Sequence, residues 1–416
     1  MSTAASSVFS TEGEILIHLG TDARVSIQSQ RPIHASRVLV GKTPAEAMQI
    51  VPLLFNVCKI AQSLAATLAL RAAKGRPDSP APSQRILLQA ETARETLLRL
   101  LRDTPTQLGL PLPDQPVFSS LTSLLQDFKR VLYDERSTFA NDHESTESSI
   151  ADASSVINSI TALESYLQSH VFGVPCETFA RLPKLCALQS WANEQDTLPA
   201  QAVRFIEAQG WSSSGASAKA PLPLPELPLG QVALRLTQDA AAAEPFIAQP
   251  QWNSQCYETG SYARQWNQPL VQELRRHSGS GLLARWAARL LELALIPANM
   301  RRYLKADTTR NDVTKAEETS APCSQHAPVT GTGIASVEAA RGRLMHLVQL
   351  DHRQTISAYR ILAPTEWNFH PQGALARILT SLATPGAFGD KKARTRLAHL
   401  LVQSIDPCVA YRLEVA

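Results

Sequence analysis

The sequence predicts a mainly α fold with a small N-terminal antiparallel β element. Apolar residues recur at three- and four-residue steps at roughly 84–103, 117–134, 153–171, 280–296 and 391–404, the spacing that lays one apolar stripe along a helix. Near the N-terminus the period changes: EILIHL alternates, with Ile15, Ile17 and Leu19 on one face, as a half-buried strand does. A chain of 416 residues has ample length for a large core in one domain or two, and it shows no internal repeat.

Each element follows in order. Gly20-Thr21-Asp22 supplies a turn and RVSIQSQ the partner strand. Thr43, Pro44 and Glu46 read as N-cap, first helical residue and capping-box acid. Pro52 lacks the N–H that an interior turn needs, so a break is expected there. In the following run, LLFNVCKIAQSLAATLAL, residues Leu54, Val57, Ala61, Leu64 and Leu68 form a helical stripe, which sets Cys58 beside a buried helix face. Segments 74–83, 212–228 and 306–332 are rich in Pro, Ser, Ala, Thr and Glu. They carry too little apolar surface to offset the entropy of ordering, and are expected to be flexible loops.

Composition excludes several classes. With 40 basic and 37 acidic residues, nothing argues for nucleic acid or an anionic membrane as partner. The opening MSTAASSVFSTEGE has neither the basic nor the apolar region of a secretory signal, and no apolar run approaches the roughly 20 residues that span a bilayer. The six cysteines are scattered, unlike a disulfide framework, so a cytoplasmic protein is expected.

Three segments carry chemistry. They are Cys58 in FNVCKIAQ, the pair Glu338-Ala339-Ala340-Arg341-Gly342 and Pro364-Thr365-Glu366-Trp367-Asn368, and Asp406-Pro407-Cys408 near the C-terminus. In that order they resemble the large subunit of nickel–iron hydrogenases. There R-x-C-G-x-C-x-x-x-H and D-P-C-x-x-C-x-x-H supply four thiolates, and E-A-P-R-G and P-[ST]-[TS]-W-N contact the iron's diatomic ligands. Two further stretches agree: Tyr257–Arg264 resembles Y-E-V-G-P-L-A-R, and SGSGLLARWAARLLEL resembles S-T-L-G-R-x-A-A-R-x-L-E. Thr11-Glu12-Gly13-Glu14 resembles R-I-E-G-H more weakly. The matches span about residues 11–414, with 75–250 matching only loosely. They imply a single hydrogenase large-subunit-like helical bundle over 1–416, with the low-complexity segments as loops inside it.

The departures matter as much. Phe55, Tyr411, Gln62 and Glu414 stand where the resemblance expects two cysteines and two histidines, and Ala340 replaces a proline. The resemblance leaves one bridging position (Cys58) and one terminal position (Cys408), so nickel, which needs several soft ligands, is not expected to bind stably. Iron that brings its own ligands needs fewer protein thiolates. Arg341, Pro364 and Thr365 are then expected to bind the cyanides, since a metal-bound cyanide nitrogen accepts hydrogen bonds. Tyr359 stands where the resemblance also has a tyrosine.

This combination resembles the HupK/HoxV family of hydrogenase maturation proteins. The family implies a non-catalytic scaffold that holds an Fe(CN)2(CO) unit transiently for the hydrogenase large-subunit precursor, with a HypC-type chaperone as partner. The alternative is a metal-free chaperone acting through its surface. A redox enzyme would need a second metal, and the chain has no cysteine cluster for an iron–sulfur centre. A lone cysteine on an apolar face is usually inert core; Cys176, Cys186, Cys256 and Cys323 have no motif around them and are read as structural or incidental. His346 and His370 have no spaced partners and are not taken as ligands, Glu12 is read as structural, and Trp367 as packing.

Overall fold

A computed structural model describes residues 13–20, 24–55, 57–132, 139, 150, 152–216, 222–308, 323–382 and 391–416. Strands β1 (Glu14–Leu19) and β2 (Val25–Ser29) pair antiparallel, Ile17 opposite Ile27. The expected turn lies mostly outside the described residues, and so does Glu12. Helix α1 (Pro44–Leu54) starts on the expected capping box, Thr43 N–H donating to Glu46 Oε2 at 2.7 Å and Glu46 N–H to Thr43 Oγ1 at 3.3 Å. Pro52 does not break it. The helix runs two residues further, because only the last turn loses a bond.

Cys58 is therefore not on a continuous helix from Leu54. The chain leaves α1 at Phe55, and Cys58 is the N-cap of helix α2 (Lys59–Ala73), in which residues 60–73 are all buried. That helix is the centre of the molecule. It packs on α1, on helix α3 (Pro82–Leu98) and on a four-stranded sheet, while α3 packs in turn on the long helix Leu282–Thr308. Helices Gln115–Leu132, Ala153–Leu167 and Lys391–Ile405 lie close to the expected positions.

The sheets differ from expectation. β3 (Leu222–Pro223) and β4 (Tyr257–Glu258) form a short parallel pair, so part of segment 212–228 is a strand. Strand β5 (Cys323–Val329) lies inside segment 306–332, and residues 309–322 lie outside the described residues. It begins an antiparallel sheet with β6 (Thr332–Ala339), β7 (Gly342–Leu350) and β8 (Ile356–Leu362) in that order. Finally β9 (Ala410–Val415) joins β1 in parallel, Tyr411 opposite Ile15, so the N-terminal β element is mixed rather than purely antiparallel.

Two glycines set the distances. A Cβ at Gly333 of β6 would lie 2.1 Å from the Ala69 carbonyl, so α2 rests directly on strand backbone. Gly342 holds φ near +127°, which only glycine adopts easily, and closes the two-residue turn Ala340–Arg341 between β6 and β7. Among the described residues no helix is long and apolar enough to cross a membrane.

Candidate metal centre

The N-terminus of α2, the β6–β7 turn, the end of β8 and the approach to β9 converge on one cavity of about 80 Å3. That is several times the ~10–15 Å3 that one water needs. Cys58, Cys408, Arg341 and Pro364 line it together with Arg31, Phe55 and Gln62, and Leu54, Val57, Ala339, Ala340, Leu344 and Ala363 add apolar wall. Thr365 is the next residue along, buried, with a hydroxyl that makes no hydrogen bond. Four of the five expected site residues thus line one cavity, from positions some 350 residues apart.

The recognisable segments are wired to one another. Asn368 accepts from Thr259 N–H at 2.9 Å, and its amide nitrogen donates to the Thr259 and Arg341 carbonyls at 3.0 and 3.4 Å. Thr259 Oγ1 accepts from Arg343 N–H at 2.9 Å. The PTEWN turn and the YETG segment therefore hold the turn that carries Arg341. Trp367 is packing, as expected, edge-on to Phe246 and Tyr257.

Arg341 is 5 % exposed and its Nη2 donates to Glu95 at 2.9 Å, while Nε sits 3.4 Å from Asp406. Nε and Nη1 make no hydrogen bond. Burial alone would lower its pKa, but Asp406, Cys408, Glu95 and Cys58 raise it well above the usual value, so it is a permanent cation. Orphaned buried donors are uncommon because each carries a desolvation cost; they occur here and also away from the cavity, as on Arg275 and Trp286.

Cys58 and Cys408 are both partly buried. Burial, then Cys408 and Glu91, pushes the Cys58 thiol up, against Arg341 and Gln62, which favour the thiolate. Glu91 caps α2 from a distance, accepting from Ile60 and Ala61 N–H at 2.8 and 3.0 Å. Cys408 is presented by a left-handed residue, Asp406 (φ 61°), pinned by Arg99: Nε to Asp406 at 2.6 Å and Nη2 to the Pro407 carbonyl at 2.8 Å.

Two corrections concern the substituted positions. Phe55 lines the cavity, but Tyr411 does not; its hydroxyl meets His399 Nδ1 at 3.0 Å on helix Lys391–Ile405, because β9 begins right after the cysteine. Glu414 likewise leaves the site and lies 3.7 Å from His18 on the surface. His346 and His370, not taken as ligands, have hydrogen-bonding partners. His346 bonds Gln62 and Tyr359, and His370 Nδ1 lies 3.3 Å from Cys256 Sγ.

Sequence reasoning missed Arg31, Arg99, Gln62 as a hydrogen-bonding residue, and Glu91. Arg31 lines the cavity, donates to Glu366 through Nη1, and keeps an unbonded Nε. Glu366, an acid inside the PTEWN turn, was the available signal, since a buried carboxylate needs a cation. Among the described residues no three His, Cys, Asp or Glu side chains converge to hold a metal. The cavity offers two sulfurs, cationic side chains and apolar wall.

Comparison with known proteins bears on the family and the fold. The profile of the family described as nickel-dependent hydrogenase matches residues 245–412. A hydrogenase expression/formation protein HoxV from Cupriavidus necator is 34% identical over 403 residues, covering 94% of this chain and 92% of the relative. HupK proteins from Rhizobium leguminosarum bv. viciae and Azotobacter vinelandii are 29% and 28% identical, covering 94% and 97% of this chain and 92% and 97% of their own. The fold is similar to an NAD+-reducing [NiFe]-hydrogenase in the H2-reduced state, with TM-score 0.58, 14% identity and 93% of each chain covered. It is also similar to the Ni-Fe-Se hydrogenase of D. vulgaris Hildenborough, with TM-score 0.56, 14% identity and 92% of each chain covered.

Proposed function

Because the chain belongs to the HoxV/HupK family of hydrogenase expression/formation proteins, we propose that it serves hydrogenase maturation as a non-catalytic carrier of an Fe(CN)2(CO) unit. The observation that carries this reading is the cavity lined by Cys58, Cys408 and the buried cation Arg341, whose Nη1 makes no hydrogen bond. Cys58 and Cys408 would ligate the iron, and Arg341, Pro364 and Thr365 would receive the cyanides. Two protein thiolates protect such a fragment yet exchange more readily than four. The iron unit is cargo, received from a HypC-type chaperone and passed to the large-subunit precursor, with no stable nickel.

Infrared spectroscopy of protein purified anaerobically from cells making the cofactor is the test, since metal-bound CN and CO absorb where proteins do not. Both kinds of band and at most one iron per chain are expected. One tightly bound nickel per chain, or no CN and CO bands, would overturn the reading. Cys58→Ala and Cys408→Ala should each abolish the bands while costing about 1–2 kcal/mol of stability. Cys176→Ala and Cys323→Ala, at buried cysteines away from the cavity, should leave the bands in place.

The surface-chaperone reading draws on a different observation. Val38, Val40 and Leu53 are exposed on the segments that also supply Ala35 and Leu54 to the cavity. A Cys58/Cys408 double variant that supports full hydrogenase maturation would favour it.

A further inference from the structure

Gln62, which stands where the resemblance expects a histidine, is 3% exposed and held on both sides. Its Nε2 lies 3.7 Å from Cys58 Sγ, and its Oε1 lies 2.8 Å from His346 Nε2. His346 Nδ1 in turn lies 2.7 Å from the Tyr359 hydroxyl, and the Tyr359 carbonyl accepts from Ser36 at 3.1 Å. Proton bookkeeping fixes the direction of the chain. An amide oxygen has no hydrogen, so His346 carries its proton on Nε2, and Nδ1 accepts from the Tyr359 O–H. His346 is fully buried, and burial pulls its pKa down to about 3, so the ring holds one proton only. A sulfur bound to metal has no hydrogen to offer, so reversing the amide would set two acceptors face to face. Every donor in the series Tyr359, His346, Gln62 then points toward Cys58.

We propose that Gln62, locked by His346 and Tyr359, is a positioning residue of the cargo site whose amide N–H sets how strongly the Cys58 thiolate donates to iron. This rests on the carrier reading above. A hydrogen bond to a metal-bound sulfur withdraws density from the metal–sulfur bond, and outer partners of this kind tune affinity and electronics. Iron that receives less density returns less to bound CO, whose stretch rises, and the sulfur is displaced more easily. The donor thus favours release, which a carrier needs.

The test compares CO stretches of the anaerobically purified wild type with Gln62→Leu, Gln62→His and Tyr359→Phe, and times iron loss to a chelator in each. Gln62→Leu has no donor. Its CO band should move to lower wavenumber and its iron loss to the chelator should slow. Gln62→His restores an N–H and should return both readouts toward wild type, an outcome that a packing role does not produce. Tyr359→Phe frees the imidazole tautomer and should move the band in the same direction by less. An unmoved CO band in a folded, iron-loaded Gln62→Leu overturns the inference alone. If that variant does not fold, an unmoved band in Tyr359→Phe does so. No CN or CO bands in the wild type overturns the carrier reading and this inference with it.

Discussion

Arg341 holds Glu95 through Nη2 and Asp406 through Nε and leaves Nη1 without a hydrogen bond, and substitution separates the roles. Arg341→Leu removes the cation that Glu95 and Asp406 share and leaves them their ion pairs with Arg94 and Arg99. Breaking a buried pair from one side costs about 3–5 kcal/mol, so urea unfolding should show a large loss, along with poor iron retention. Arg341→Lys keeps the charge and loses the planar fork. It should unfold near the wild-type midpoint but shift the CN bands; unchanged bands would place the guanidinium away from the cargo. His346 gives a pH prediction. Its folded pKa, about 3, lies below the unfolded value of about 6.5, so the unfolded chain binds more protons between those limits. Stability from this group is complete above about pH 6.5 and falls as pH drops toward 3, by about 2 kcal/mol at pH 5. His346→Phe should unfold in urea with less difference between pH 7.5 and pH 5 than wild type; an equal difference would show that the ring is protonated in the fold.

At the scale of elements, the helices were legible because each presents one apolar stripe, and Thr43-Pro44-Glu46 because a cap is a local device. The four-stranded sheet was not. TGIASVEA and GRLMHLVQL are buried nearly throughout, so both faces are apolar and the alternation that marks a strand disappears. β9 failed for the opposite reason, since its residues alternate only between half-buried and exposed. Of the site, the motif residues could be read from the order of segments. Arg31, Arg99 and His346 could not, because their partners Glu366, Asp406 and Gln62 lie hundreds of residues away and no local spacing encodes them. Two element-level predictions follow the packing. Gly333→Val forces a side chain into the α2 backbone and should cost about 1–3 kcal/mol in urea unfolding; an unchanged midpoint would mean that helix and strand are not in direct contact. Arg99→Met unpins the Asp406 turn and should cost about 3 kcal/mol, with iron lost more readily because Cys408 is no longer held. Full iron retention in a folded Arg99→Met would assign that clamp to stability alone.

At the scale of the whole molecule, the two halves of the candidate centre are joined by β9 lying alongside β1. Deleting residues 410–416 should remove that strand and the Arg394 contact to Ala416, leaving the helices visible by circular dichroism but the iron unretained. Normal iron content in the shortened chain would show that Cys408 is placed by the Asp406 turn without the sheet. The same arrangement fixes a schedule. Ribosomes add about 5–20 residues per second, so Cys408 is made roughly 20–70 s after Cys58, some 350 residues later. During that interval Cys58 has no sulfur partner and Arg341 has no Asp406. On the proposed carrier function, a nascent chain could not capture iron prematurely with both thiolates, and loading would wait until translation has passed Cys408.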